Sequence, residues 1–349
     1  MQNMFETHLT TEYGFEIPII SAGMAFIGMP ALVAAVSNAG GMGTLGASLV
    51  PPNGLRALIR ATRSMTARPF GVNFITQFAE EAQLDVCIEE RVPVVSFFWN
   101  DPPEAFIHRL RAAGVKVWMQ VSSLQEARAA VQAGVDAVIV QGKEAGGHNR
   151  STASTLTLVP AVVDAIAPVP VIAAGGIADG RGMVAALALG AEAVWIGTRF
   201  VASQEAYAHD KYKRYIVESE ATETVRTTIF GPEWPHQPMR VIRNRVVNKW
   251  VNRESEIVYD PESTEFIGAT TIGGEHVLLP KFSALLPTPD TTGDFEAMCL
   301  TAGESVGLVK DIKPAGEIVR TMIEEARSII THRFGPALHV PYSQAHQQT

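Results

Sequence analysis

One segment of the chain concentrates residues that could do chemistry: Gln141-Gly-Lys-Glu-Ala145-Gly146-Gly147-His148. It closes a short apolar run and places a histidine behind two glycines. An imidazole titrates near neutrality and suits a general base. Glycines let substrate and backbone approach it closely. No neighbouring His or Cys completes a metal site around it. Two more glycine loops end apolar runs, Ala174-Gly175-Gly176-Ile177 and Ile196-Gly197-Thr198. Exposed backbone N–H groups in such loops can hold a phosphate. A further run ends Ser21-Ala22-Gly23-Met24. Small residues there suit close approach of a flat ligand, or simply a tight turn. Asn73, Gln120 and Gln141 also stand at run ends. An amide can donate and accept toward a heteroaromatic ring, or satisfy loop backbone. Together these positions describe a ligand with a phosphate and a ring. Flavin mononucleotide (FMN) fits, and on these grounds so does a sugar phosphate.

Such residues meet only if the runs that carry them are neighbouring strands. Eight runs are apolar and often β-branched: 17–22, 43–47, 70–75, 92–98, 115–121, 137–141, 169–174 and 193–198. Lacking alternation, they suit strands buried on both faces. Amphipathic stretches at 30–38, 55–64, 78–90, 103–113, 124–133, 159–166 and 181–189 separate them, several closed by glycine. Eight such units predict an α/β fold, a (β/α)8 TIM barrel, whose working residues lie at the C-terminal strand ends. A doubly wound open sheet is the alternative, but no G-x-G-x-x-G follows the first run. The barrel with its ligand site spans 1–219. Residues 220–300, rich in Arg, Gly and Pro, read as a cap beside the barrel mouth. A helical region at 301–332 returns to the barrel, and 333–349 is a tail. Phe97, Phe98 and Trp99 either wall the site or read as barrel packing with one ring exposed, the latter preferred, and Trp195 reads as core. Glu144 is either a partner of His148 or a surface carboxylate.

Composition narrows the class. The 349 residues are 47% hydrophobic and 18% charged, which excludes disorder, collagen and coiled coil. The formal net charge is −8, a poor match for nucleic acid or an anionic membrane surface. The arginines of 240–253 therefore read as a solvated face with ion pairs. Cys87 and Cys299 suit a reducing compartment. No apolar stretch reaches the ~20 residues of a membrane span, and the first residues lack a signal-peptide pattern. The expectation is a cytoplasmic protein.

Several stretches resemble one known family. They are Ala34-Ala-Val-Ser-Asn-Ala-Gly-Gly-Met-Gly43, Pro69-Phe-Gly-Val-Asn73, Glu144-Ala-Gly-Gly-His148, Ala173-Ala-Gly-Gly-Ile-Ala-Asp-Gly-Arg-Gly182 and Gly197-Thr-Arg-Phe200. Gly303-Glu-Ser-Val-Gly307 adds to them. In order and spacing they resemble the nitronate monooxygenase (2-nitropropane dioxygenase-like) family of FMN barrels. That family also holds enoyl-ACP reductase II and NADH:quinone reductase branches. The resemblance implies an FMN enzyme that oxidises nitronates or nitroalkanes with O2 to a carbonyl compound and nitrite. His148 would be the base. Ala22, Gly23 and Met24 would lie against the flavin, and Asn73, Gln120 and Gln141 would hydrogen-bond it. Ala145, Gly146, Gly147 and Ala174 would line its site, and Gly175, Gly176, Gly197 and Thr198 would hold its phosphate. The alternative is an NAD(P)H-dependent reductase of enoyl thioesters or quinones; a homo-oligomer is compatible with either. Two residues depart from the best-known monooxygenase pattern. Gly23 stands where that branch carries Pro, as in the enoyl reductases. Arg150 stands where the family carries a small residue.

Overall fold

The computed structural model describes residues 4–100, 102–259 and 265–335. Eight parallel strands make one sheet: β1 (Ile19–Ser21), β2 (Gly43–Gly46), β3 (Phe70–Ile75), β4 (Val94–Phe98), β5 (Lys116–Val121), β6 (Ala137–Gln141), β7 (Val171–Ala174) and β8 (Ala193–Ile196). They pair in chain order, and β8 pairs with β1. Between β1 and β2 the Ile20–Met42 bridge closes the ring, with Ser21 N–H donating to Met42 O at 3.0 Å. The result is a (β/α)8 TIM barrel. Its strands are buried on both faces, as unalternated apolar runs require.

The connecting helices follow from periodicity and caps. Helix Pro52–Met65 starts with proline in its first turn and buries Leu55, Ile59 and Thr62, three or four residues apart. Ser123 caps helix Leu124–Gln132 by accepting from Glu126 N–H at 3.2 Å. Gly134 and Gly190 leave their helices at φ +90° and +93°, where a Cβ would be strained. One core fills the space between sheet and helices. A second core lies inside the barrel. Trp195 belongs to this inner core, so it faces the barrel axis and not the helices, and it reaches the cavity described below.

The inner core is closed by an element that no sequence pattern announces. Helix His8–Tyr13 brings Leu9, Tyr13 and Phe15 into it. Tyr13 OH accepts from Trp118 Nε1 at 3.0 Å, and the two rings meet edge to face at 5.0 Å. Six residues are too few for a visible amphipathic repeat.

After β8 the chain builds outside the ring. Strands β9 (Thr224–Thr227) and β10 (Met239–Ile242) pair antiparallel, and β10 also pairs with Gly147–His148 of the barrel. Strands β11 (Phe266–Ile272) and β12 (Glu275–Pro280) form a hairpin. Low periodicity hides this hairpin in the sequence, yet Gly273-Gly274, at φ +61° and +88°, is the dipeptide that a two-residue turn demands. Ile229, Phe230, Val247, Phe282 and Cys299 give this region its own small core. Its arginines bind within the chain: Arg226 to Ser151 O, Arg240 to Lys143 O and Glu304, Arg245 to Asp294, Arg253 to Glu256. Helix Ala315–Ser328 then packs against helices Gly180–Ala188 and Pro30–Asn38 of the barrel and continues through Ile329–Phe334. Most of the expected tail, 336–349, lies outside the described residues.

Replacing Tyr13 by Phe leaves the buried Trp118 N–H without its acceptor. We expect Tyr13→Phe to cost about 1–3 kcal/mol of stability. Equilibrium denaturation measures it, and an unshifted midpoint would show that the plug does not depend on this bond.

Candidate active site

A cavity of about 280 Å³ opens at the C-terminal ends of the strands. His148 and every residue expected to hold the cofactor line it. Ala22, Gly23 and Met24 come from the end of β1, Asn73 from β3, Gln120 from β5 and Gln141 from β6. Ala145, Gly146, Gly147 and His148 come from the next loop, Ala174, Gly175 and Gly176 from the end of β7, and Gly197 and Thr198 from the end of β8.

Close packing explains several of these residue types. A Cβ on Gly23 would stand 2.2 Å from Asn73 Cβ. With Asn73 in place, neither alanine nor proline fits there on this backbone. Asn73 itself donates from Nδ2 to Ser96 Oγ at 3.0 Å. A Cβ on Gly146 would come within 2.4 Å of the Ala302–Gly303 backbone. Gly303 N–H in turn donates to Thr198 Oγ1 at 2.9 Å, and Glu304 N–H donates to Glu144 O at 2.9 Å. The histidine loop, the β8 end and the later 301–304 segment are thus locked together.

The polar groups divide into satisfied and unsatisfied ones. Glu144 accepts from Thr155 N–H and Oγ1 at 3.0 and 2.9 Å, so it caps helix Thr155–Ile166 and is no partner of His148. Asn149 is fully buried; its Nδ2 donates to Gly142 O and Ala145 O, both at 3.0 Å, and its Oδ1 accepts from Ser151 N–H. It pins the loop from inside, a role that nothing in its local sequence reveals. Gln141 Nε2 donates to His148 O at 3.3 Å, while its buried Oε1 has no partner. Gly175 and Gly176 adopt φ +106° and +73°. The N–H groups of Gly176, Gly197 and Thr198 donate to no described residue. Among the described residues no Lys or Arg lines the cavity. An anion there would be held by backbone dipoles, not by a cation.

His148 occupies the aromatic side. Its ring lies 4.7 Å from Trp234 and 5.5 Å from Trp99, and neither nitrogen bonds a described residue. Loss of hydration pushes its pKa down to about 4, so the imidazole is neutral at pH 7. Among the described residues, Glu233 is the other titratable one on the lining. It accepts from Ser283 Oγ at 2.5 Å and Ala284 N–H at 3.2 Å. Trp99 is 3% exposed, and Phe98 lines the cavity, so the expected exposed ring after β4 is not found. Arg150 lies outside the lining, with its guanidinium over Trp99 at 5.0 Å. Trp234, Met239 and Leu285, from the region after the barrel, line the cavity without having been singled out. Trp234, alone among prolines, carried the only available signal.

The Gly23–Asn73 contact yields a test. Gly23→Ala should destabilise the fold by about 1–3 kcal/mol, the usual cost of overpacking. Asn73→Gly on the same chain should recover part of that loss. A double-mutant cycle read by thermal denaturation measures the coupling, and additive losses would refute the contact.

Comparison with known proteins agrees with this geometry. The nitronate monooxygenase family pattern matches residues 6–325. A probable nitronate monooxygenase of Staphylococcus aureus (strain Newman) is 33% identical over 373 aligned positions, covering 94% of this chain and 99% of that protein. Among solved structures, FabK from Thermotoga maritima is 37% identical, with a TM-score of 0.78 over 95% of this chain and 99% of that one. A nitroalkane oxidase from Streptomyces ansochromogenes is 30% identical, with a TM-score of 0.75 over 93% of this chain and 99% of that one. The chain is an oxidoreductase and belongs to the nitronate monooxygenase family.

Proposed function

We propose that the protein is an FMN-dependent enzyme that oxidises alkyl nitronates, or nitroalkanes, with O2 to a carbonyl compound and nitrite, with His148 as base. One observation carries this reading: a half-buried imidazole, held neutral by lost hydration and with no hydrogen-bond partner among the described residues, faces a cavity where Glu233 is already engaged.

The residues present fit FMN. The orphaned Gln141 Oε1 needs a donor, and Gln120 beside it offers a free amide to the same polar edge. Gly23 has no side chain, which lets Asn73 pack against it, and both residues line the cavity. The unpaired N–H groups of Gly176, Gly197 and Thr198 would hold the phosphate. Bound FMN supplies the redox chemistry. The chain's own work is binding, orientation and proton transfer. His148 takes the α-proton of a nitroalkane, and the C–H electron pair moves into the nitro group to leave the nitronate. Trp99 and Trp234 exclude water from the imidazole. In this reading the 220–300 segment is the cap, since it supplies Glu233, Trp234, Met239 and Leu285 to the lining. The buried free thiols of Cys87 and Cys299 support a cytoplasmic location. No described helix is long and apolar enough to cross a membrane.

The pKa sets the pH dependence. The base is neutral above about pH 4 and is lost as pH falls through that value. The unfolded imidazole titrates near about 6.5. The unfolded chain therefore binds the extra proton first, and acidification from about 6.5 toward 4 lowers stability. His148→Ala should retain FMN and lose about 10²–10⁴-fold in kcat/KM on neutral nitroalkanes. Preformed nitronates need no deprotonation, so their loss should be smaller. Steady-state nitrite release from both substrates decides it, and equal losses would sink the base assignment.

The second reading is an NAD(P)H-dependent reductase of enoyl thioesters or quinones. The tight fit of Gly23 against Asn73 favours it, because this is the glycine shared with the enoyl reductase branch. Anaerobic spectra separate the two. A flavin that stays oxidised when NADH and then NADPH are added supports nitronate oxidation. Rapid bleaching by either replaces it with the reductase.

A further inference from the structure

The wall behind His148 is held by a cation that proton abstraction does not use. Trp99 leaves β4 in left-handed backbone, at φ +69°. Its ring meets both His148, at 5.5 Å, and Trp234, at 5.1 Å, edge to face. On its outer side lies Arg150, with the guanidinium carbon 5.0 Å from the ring centroid. Arg150 Nε lies 3.3 Å from Glu126 Oε1, an ion pair off the N–H axis. Its Nη1 donates to Asn100 Oδ1 at 3.4 Å. Glu126 Oε2 accepts from Ser122 N–H at 2.7 Å, just beyond the end of β5. A continuous chain of contacts therefore runs from the barrel rim through Glu126, Arg150 and Trp99 to the imidazole. A planar guanidinium can both stack on an indole and bond sideways, which an ammonium cannot.

We propose that Arg150 is a positioning residue: stacked on Trp99 and tied to Glu126 and Asn100, it holds the indole edge against His148 and keeps water off the base. The proposal rests on the reading of His148 as base. The other charged groups near His148 are engaged elsewhere. Glu233, beside Trp234, faces Ser283 and Ala284, and Arg240 of β10 faces Lys143 O and Glu304.

The test uses the full-length, FMN-loaded protein and the variants Arg150→Ala and Arg150→Lys. Lysine keeps charge and stem but not the planar stack, so it separates stacking from charge and serves if the alanine variant fails to fold. NMR titration of the His148 imidazole should move from about 4 toward 6.5 in both, as water reaches the ring. In both, kcat on nitroethane should fall about 10- to 100-fold, the cost of a misplaced catalytic group. KM, FMN content and the rate on ethyl nitronate should hold. An unmoved His148 titration, full rescue by lysine, or an equal fall on the nitronate would overturn the proposal. If the parent enzyme releases nitrite from neither substrate, the base reading fails, and the titration alone still decides the placement of Arg150.

Discussion

The architecture of the site depends on one steric constraint, the contact between Gly146 and the Ala302–Gly303 backbone. No side chain fits between them. That contact sets the depth of the histidine loop. Asn149 then fixes its path from within, and Glu144 turns away to cap the following helix. Thr198 joins through Gly303 N–H. The loop that carries His148 and the loop that ends β8 therefore share a single strut, and neither can shift without the other.

The electrostatic character follows from what this packing leaves uncovered. The barrel side of the cavity presents backbone dipoles and amides; the outer side presents indoles and aliphatic groups. A charge on the ligand would meet oriented N–H groups on one side and a dry wall on the other. Dehydration keeps the imidazole neutral, which is the form a base requires. Were the imidazole to accept a proton, the same dehydration would make its conjugate acid strong, so the proton would be readily given up again.

The barrel was legible in the sequence because parallel strands buried on both faces leave an unmistakable trace. Runs such as 70–75 and 137–141 coincide with β3 and β6 to the residue. The glycine loops were legible for a related reason: the positive φ of 175 and 176 favours glycine, so its identity hints at the backbone. What escaped was decided at long range. Tyr13 finds Trp118 across 105 positions, and Trp234, flanked by Pro232, Pro235 and Pro238, finds His148 from a region with no periodic pattern. Arg150 is similar. It stands two residues after the histidine in sequence, yet its partners Trp99 and Asn100 follow β4 and Glu126 lies in the helix after β5.

The pairing of Gly147–His148 with β10 ties the histidine loop to a strand that comes roughly ninety residues later. During synthesis the barrel strands are complete once β8 has emerged, but the histidine still lacks its neighbour on that side. The loop's backbone must wait for Met239 and Arg240, and for the Ala302–Gly303 strut beyond them. The topology thus separates the two: the scaffold lies early in the chain, and the partners of the histidine loop lie late. A fragment ending before Met239 would carry all eight barrel strands and the glycine loops, yet would lack both the strand that pairs with Gly147–His148 and the strut behind Gly146.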